Sequence, residues 1–361
     1  MSVQRSARPA AGMTLVELMV GMAVGLFVAT VAIATFVSTR SLNVVNAATT
    51  RMSENGRLAM EILQADLRNA GFAGCRPFGM RVDDPTVSVL NGGIDAGFIT
   101  EGNSGLRGHR GTGSGFSPAL STALSVVVPA PLSNSDIVSV RVPADQVALG
   151  VVAAMPSSTA APQLKAATPG NRIRTGDVVL IANCKASTIF QVTEADPFAT
   201  GALNHAVGGA SAPGNSTTDL RHAYRSDATV YRLQTRHYYV APSVLRPGTN
   251  SLWRLTVPDS AGGGNPLEVA TGIDRLNVSY GVDTSLDPAG DRGINRYQSA
   301  QGVADWDRVL AARVEMVVAT AQDGMAQVPQ TIRFAGNSLT ATDRRVRTTL
   351  TEIVTLRNGA E

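Results

Sequence analysis

The most extended feature of the hydropathy pattern lies near the N-terminus, where residues 18–39 carry no charge and consist mainly of Val, Ala, Leu, Met, Ile and Phe. At a rise of 1.5 Å per residue these roughly 22 residues make a helix about 33 Å long, enough to cross a hydrocarbon core. A secretory signal peptide also joins a basic start to an apolar middle. Here the apolar run is longer than such a segment needs, and no proline falls between Met13 and Arg76 to separate it from the amphipathic stretch after it. That stretch begins beyond Arg40. Met52, Ala59, Ile62, Leu63 and Leu67 recur at helical intervals, while Glu54, Arg57, Glu61, Asp66 and Arg68 fill the polar face. The pattern predicts one helix that continues from the membrane span to about Ala70, with Gly71 as its stop.

After Cys75 the period shortens to two. Residues 135–141 alternate cleanly and 177–184 form a run suited to a strand buried on both faces; further strands are predicted at 229–233, 236–240, 251–255, 276–282, 309–318 and 350–356. The expected class is α+β, a long N-terminal helix packed on a mainly antiparallel β domain. Residues 102–115 are glycine-rich, but lack the preceding strand, following helix and Lys of a phosphate loop. They are expected to form a flexible loop, as is 204–218.

Composition narrows this reading. Charged residues make up 16% of the chain and aromatics 5%, which suits a loop-rich β domain with one apolar segment better than a compact enzyme. The net charge is +3, and without Arg5 and Arg8 the chain has 29 basic against 28 acidic residues. So small an excess gives no reason to propose nucleic acid as a direct partner. Arg5 and Arg8 precede the span and are expected to stay inside, so everything after Arg40 faces the other side of the membrane. Gly21 and Gly25 form a G-x-x-x-G step that permits close helix contact, although glycine is common in membrane helices.

Chemistry-bearing residues are sparse. Cys75 and Cys184 are the only cysteines and have no C-x-x-C spacing. Outside the cytoplasm they are expected to form one bridge, the alternative being two unrelated buried thiols. His109, His205, His222 and His237 are isolated, without a paired-ligand motif, and no G-x-S-x-G elbow or Cys/His nucleophile arrangement occurs. No metal, no cofactor and no catalysis are expected. The weak exception is Asp283, Ser285, Asp287 and Asp291, whose first members alternate like the start of a calcium loop. Pro288 stands where such a loop needs Gly and no Glu follows at the twelfth position, so a solvated acidic turn is the competing reading.

Glu17 remains, a carboxylate at the edge of an apolar run, where burial without a partner costs on the order of 3 kcal/mol. Gly12, an apolar residue, Thr14-Leu-Val-Glu17 and an uncharged stretch together resemble the class III signal of type IV prepilins and type II secretion pseudopilins. That resemblance implies cleavage by a prepilin peptidase after Gly12, N-methylation of Met13, and pairing of Glu17 with the N-terminal amine of a neighbouring subunit. Met13 departs from the family, which usually has Phe there. The resemblance also implies a leader at 1–12, a transmembrane half of the helix at 13–39, an amphipathic half at 40–71 and a periplasmic β domain at 72–361.

Several segments narrow the likeness. The sequences Ala70-Gly-Phe-Ala-Gly-Cys75-Arg, Asn134-Ser-Asp136-Ile-Val, Ala182-Asn-Cys184, Ile273-Asp-Arg-Leu-Asn-Val-Ser-Tyr280-Gly-Val-Asp283, Ala304-Asp-Trp306-Asp-Arg-Val-Leu and Arg344-Arg-Val-Arg resemble the PilW family of minor pilins. Residues 86–131 and 195–226 carry no such pattern. The family likeness implies an inner-membrane protein that joins other minor pilins and the major pilin, initiates or caps a type IV pilus, and lies at its tip. Two alternatives stay open: a tip module whose glycine-rich loops bind a surface or ligand, and a minor pseudopilin of a type II secretion system.

Overall fold

A computed structural model describes residues 12–74, 86–92, 97–100, 104–145, 147–168, 170–209, 212–258, 265–285 and 293–356. The chain divides into two compact units, one ending at Arg51 and the other beginning at Met52. A single helix, α1 (Leu15–Arg68), contributes to both. In the first unit it is long and apolar enough to cross a membrane, and its apolar side chains are exposed.

The second unit begins with the amphipathic half of α1. Met52, Ala59, Met60, Leu63 and Leu67 are buried at helical spacing, and Glu54, Arg57, Glu61 and Arg68 are exposed. Gly56 lies on the buried stripe because a Cβ there would come within 2.7 Å of Leu350 Cδ1 and 2.9 Å of Val318 Cγ2. Leu67 and Asn69 carbonyls accept the N–H groups of Ala70 and Phe72. Gly71 takes a left-handed φ of 69°, so the helix stops where its glycine allows the chain to turn.

The remainder is β. In chain order the strands are β1 (Val87–Ser88), β2 (Leu106–Gly111), β3 (Phe116–Ser117), β4 (Ile137–Pro143), β5 (Leu149–Ala153) and β6 (Gln163–Leu164). There follow β7 (Val178–Ala182), β8 (Ser187–Gln191), β9 (Thr229–Pro242), β10 (Asn250–Val257), β11 (Leu267–Thr271) and β12 (Ile273–Val282). The last are β13 (Arg296–Ser299), β14 (Val309–Ala319), β15 (Thr331–Phe334), β16 (Asn337–Thr340) and β17 (Arg347–Thr355). Among the described residues β1 to β11 form one sheet, β13-β12-β14-β17 a second, and β15-β16 a separate hairpin. All pairings are antiparallel except β1 with β8. The fourteen-residue β9 organises the first sheet, pairing with β5 and β7 at its start, with β4 through its middle and with β10 from Thr235 to its end. α1 from Met52 onward and the inner faces of both sheets enclose one apolar core, including Leu63, Leu67, Val140, Tyr238, Val278 and Val314.

The α+β layout agrees with the expectation, and two local readings do not. The stretch expected as a loop at 102–115 contains β2, paired with β4 inside the first sheet. Gly105, Gly108 and Gly111 serve close approach: a Cβ on Gly108 would come within 2.1 Å of the Tyr280 hydroxyl. Asp66, read as part of the polar face, is buried. Its carboxylate receives Arg236 Nη1 at 2.7 Å on one oxygen and the Tyr238 hydroxyl at 2.5 Å on the other, tying α1 to β9. The described residues of 204–218 form no strand but include the fully buried Asn215, bonded to Gln191 and Ala206.

Candidate functional site

The helix start is built by Thr14 and Glu17. The Glu17 N–H donates to Thr14 Oγ1 at 3.2 Å, and Glu17 Oε2 accepts from the Thr14 N–H at 3.0 Å and its hydroxyl at 3.1 Å. This is a capping box, in which two otherwise orphaned helix N–H groups are satisfied reciprocally and the carboxylate lies at the positive end of the helix. The Thr-x-x-Glu spacing is its sequence signal, which a reading of Glu17 as a carboxylate in need of an external partner passes over. Both bonds to the carboxylate use Oε2; Oε1 accepts no hydrogen bond among the described residues. Gly12 meets different constraints. A Cβ there would find nothing within 4 Å and its φ is not left-handed, so the local fold does not require glycine. Gly21 and Gly25 are equally open.

The helix exit lies beside β7. Phe72 packs edge-on against Tyr231 at 4.9 Å, and a Cβ on Gly74 would come within 2.5 Å of Ala182 Cβ, at the end of the strand that leads into Cys184. Cys75 itself lies outside the described residues.

Four of the segments that carry the family likeness, at 134–138, 273–283, 304–310 and 344–347, lie along the seam between the two sheets. Asp136 Oδ1 accepts the Gly111 N–H and Oδ2 accepts the Val278 N–H, both at 2.9 Å, while Ser135 Oγ accepts the Leu276 N–H at 2.8 Å. Burial raises the Asp136 pKa, and the two backbone N–H groups act against that rise. Arg275 Nη1 donates to the Asn134 carbonyl at 3.1 Å. Trp306 stacks edge-on on Tyr280 at 4.8 Å, with the Arg107 guanidinium 5.8 Å from its ring centre. Arg347 closes the seam, donating from Nε to Asp274 at 2.8 Å and gripping both oxygens of Asp343. Hydrogen bonding to Arg347 pulls the Asp343 pKa down to about 2. A polar groove of about 300 Å³ runs alongside, lined by Asn134, Arg275, Asp343 and Arg345 among others. These four motifs are thus distant in sequence and near one another at one structural joint.

Isolated in sequence, the histidines are engaged in the fold. His237 is buried, with Nε2 2.6 Å from the Gly97 carbonyl and Nδ1 2.7 Å from Ser139 Oγ. With Nε2–H donating to the carbonyl, Nδ1 accepts the serine proton. Desolvation pushes the His237 pKa down to about 4. The pair resembles a nucleophile and its base, but both residues are about 1% exposed and the third position is a backbone carbonyl. His205 lies between the Leu203 and Thr218 carbonyls, and His109 reaches that of Pro118. Of the calcium candidate, Asp287 and Asp291 lie outside the described residues. Asp283 is buried and accepts the Ser285 N–H at 2.8 Å. Among the described residues no group of acidic, His or Cys side chains is arranged to hold a metal ion.

Comparison with known families agrees with this geometry. The family model described as type IV pilus-assembly protein W, PilW, matches residues 237–358, about a third of the chain, from the second half of β9 through β17. The prokaryotic N-terminal methylation motif matches residues 7–33, which include Gly12, Met13 and Glu17. No curated protein and no solved structure matches the chain. Both matched families consist of pilin-type structural and assembly proteins. The chain is thus similar to prepilin-type proteins at its N-terminus and to the PilW family of type IV pilus-assembly proteins from the second half of β9 through β17.

Proposed function

We propose that this minor pilin takes part in initiating or capping the type IV pilus, and so supports adhesion, twitching motility or DNA uptake indirectly. In this reading a prepilin peptidase cuts after Gly12 and methylates Met13, and the span holds the subunit in the inner membrane with its β domain in the periplasm. Other minor pilins and the major pilin are its partners, and the pilus tip is its place after assembly. The observation that carries the reading is the state of Glu17. Its Oε2 is satisfied within its own first turn while Oε1 has no partner there. The carboxylate is therefore positioned to accept a neighbour's N-terminal amine without dismantling the cap. In an apolar surrounding that pairing offsets a burial cost of order 3 kcal/mol.

The test replaces Glu17 by Val. Membrane insertion should be normal, since removing the carboxylate lowers the insertion cost, while the variant should be depleted from sheared pili and should reduce pilus number when it is the only copy. Normal amounts of Glu17→Val in the pilus fraction, together with normal piliation, would remove Glu17 from assembly. Unchanged piliation on deleting the whole gene would defeat the initiation role.

A further inference from the structure

The second sheet ends in an edge unlike the others. β1, β3 and β6 are two residues long, β13 is four, and β11 follows Pro266 and pairs through a bulge at Leu252/Trp253. These are the usual ways of blunting an exposed row of backbone groups. β17 is nine residues long, lies last in its sheet and pairs with β14 along its whole length without a register shift.

The direction of its amides can be read from two bonds. Leu356 N–H donates inward to Leu310 O at 2.9 Å, so even-numbered amides face β14. Arg347 N–H donates outward to Gln330 Oε1 at 2.7 Å, so odd-numbered amides face away. The outer side of the first half is covered, since Thr349 Oγ1 also donates to Arg333 O in the β15–β16 hairpin. Beyond it the outward N–H groups of Thr351, Ile353 and Thr355 have no partner among the described residues. Thr351, Glu352, Ile353 and Thr355 are exposed, Ile353 by 58%, while Leu350 and Val354 hold the strand on the core. The open half contains no Lys, Pro or bulge, and its Thr, Ile and Val favour extended backbone.

We propose that residues 351–355 of β17 are a docking edge which receives an extended segment of another subunit of the same pilus as an added β-strand. The inference rests on the minor-pilin reading above. The incoming strand would supply alternating N–H and C=O groups over about 17 Å, with an apolar or β-branched residue opposite Ile353 and a basic one beside Glu352. A second copy of this chain fits less well. Antiparallel pairing centred on Ile353 would set the two Glu352 carboxylates diagonally across one face, a like-charge arrangement that disfavours the pair.

The test uses the full chain, expressed alone and together with the other minor pilins and the major pilin of the same organism, solubilised in detergent. Hydrogen exchange read by mass spectrometry over residues 347–356 should slow by about a hundredfold in the complex, through the outward amides only. Ile353→Pro removes an outward N–H that no partner among the described residues uses, so the variant should fold and melt as the parent does. It should nonetheless recover at least about tenfold less of the partner subunits, while Ile353→Val retains them. A complex that forms with this segment still exchanging freely, or that survives Ile353→Pro, overturns the docking edge and leaves the minor-pilin reading standing. Protection appearing in the chain alone through self-association also overturns it. Failure to bind any pilus subunit would defeat both.

Discussion

Asp66 is the side chain whose removal should be felt most strongly in the domain, because it is a buried carboxylate on the helix whose two oxygens are used by two different residues of β9. The Arg236 side chain is 18% exposed and that of Asp66 10%, so water replaces little of what is lost. In Asp66→Ala the guanidinium keeps its bond to the Ala144 carbonyl at 3.2 Å, but the Tyr238 hydroxyl loses its acceptor inside the core. Removing one member of a buried pair costs about 3–5 kcal/mol, and the bond that Arg236 retains argues for the lower end. Tyr238→Phe should cost about 1.5–3 kcal/mol, the range for a hydrogen bond to a charged group. In the Asp66→Ala background the same change should cost almost nothing, giving a coupling of about 1.5–3 kcal/mol. The triple change Asp66→Leu, Arg236→Met, Tyr238→Phe should recover most of the loss, since an apolar replacement of similar volume leaves no charge buried. Urea unfolding followed by the fluorescence of Trp253 and Trp306 measures each value. A cost for Asp66→Ala below about 1 kcal/mol, or an equal cost for Tyr238→Phe in both backgrounds, would refute the argument that this carboxylate ties helix to sheet.

Three further outcomes are expected. Gly12→Leu should leave full-length precursor in the membrane, and mass spectrometry that recovered a methylated Met13 terminus from it would refute the cleavage assignment. We propose that Cys184 is bridged to Cys75, because the chain one residue before Cys75 packs against Ala182; Cys184→Ser should lose about 2–5 kcal/mol, and free alkylation of both thiols in the oxidised native protein would exclude the bridge. His237 is held neutral by burial with its pKa depressed to about 4, so the stability it contributes is present above the unfolded value near 6.5 and is lost as pH falls toward 4. That loss should reach roughly 3 kcal/mol and be much reduced in His237→Asn, and parallel pH profiles for parent and variant would disprove it.

The expectations that agree with the structure depend on neighbours along the chain. An uncharged run of sufficient length, the stripe of Met52, Ala59, Leu63 and Leu67, and the strict alternation at 135–141 each express a periodicity that local geometry alone imposes. Gly12 and Glu17 stand out because the methylation motif that matches residues 7–33 is a linear pattern. The disagreements have the opposite character. Gly108 and Gly111 look like a tether until β2 lies against Tyr280 and the Ser133–Ser135 segment, where a Cβ has no room. Asp66 looks solvated until β9 brings Arg236 and Tyr238 to it from 170 and 172 residues away. Ser139 and His237, 98 residues apart, form a buried pair with no trace in either local sequence. By itself the sequence determined the helix, its long apolar half, the prepilin-like N-terminal pattern and the positions of the longest strands, since these are read from neighbours along the chain. Only the tertiary structure decided which polar groups are buried, which glycines are required and which strand edge stays open, because each depends on a partner brought in by the sheet from far along the chain.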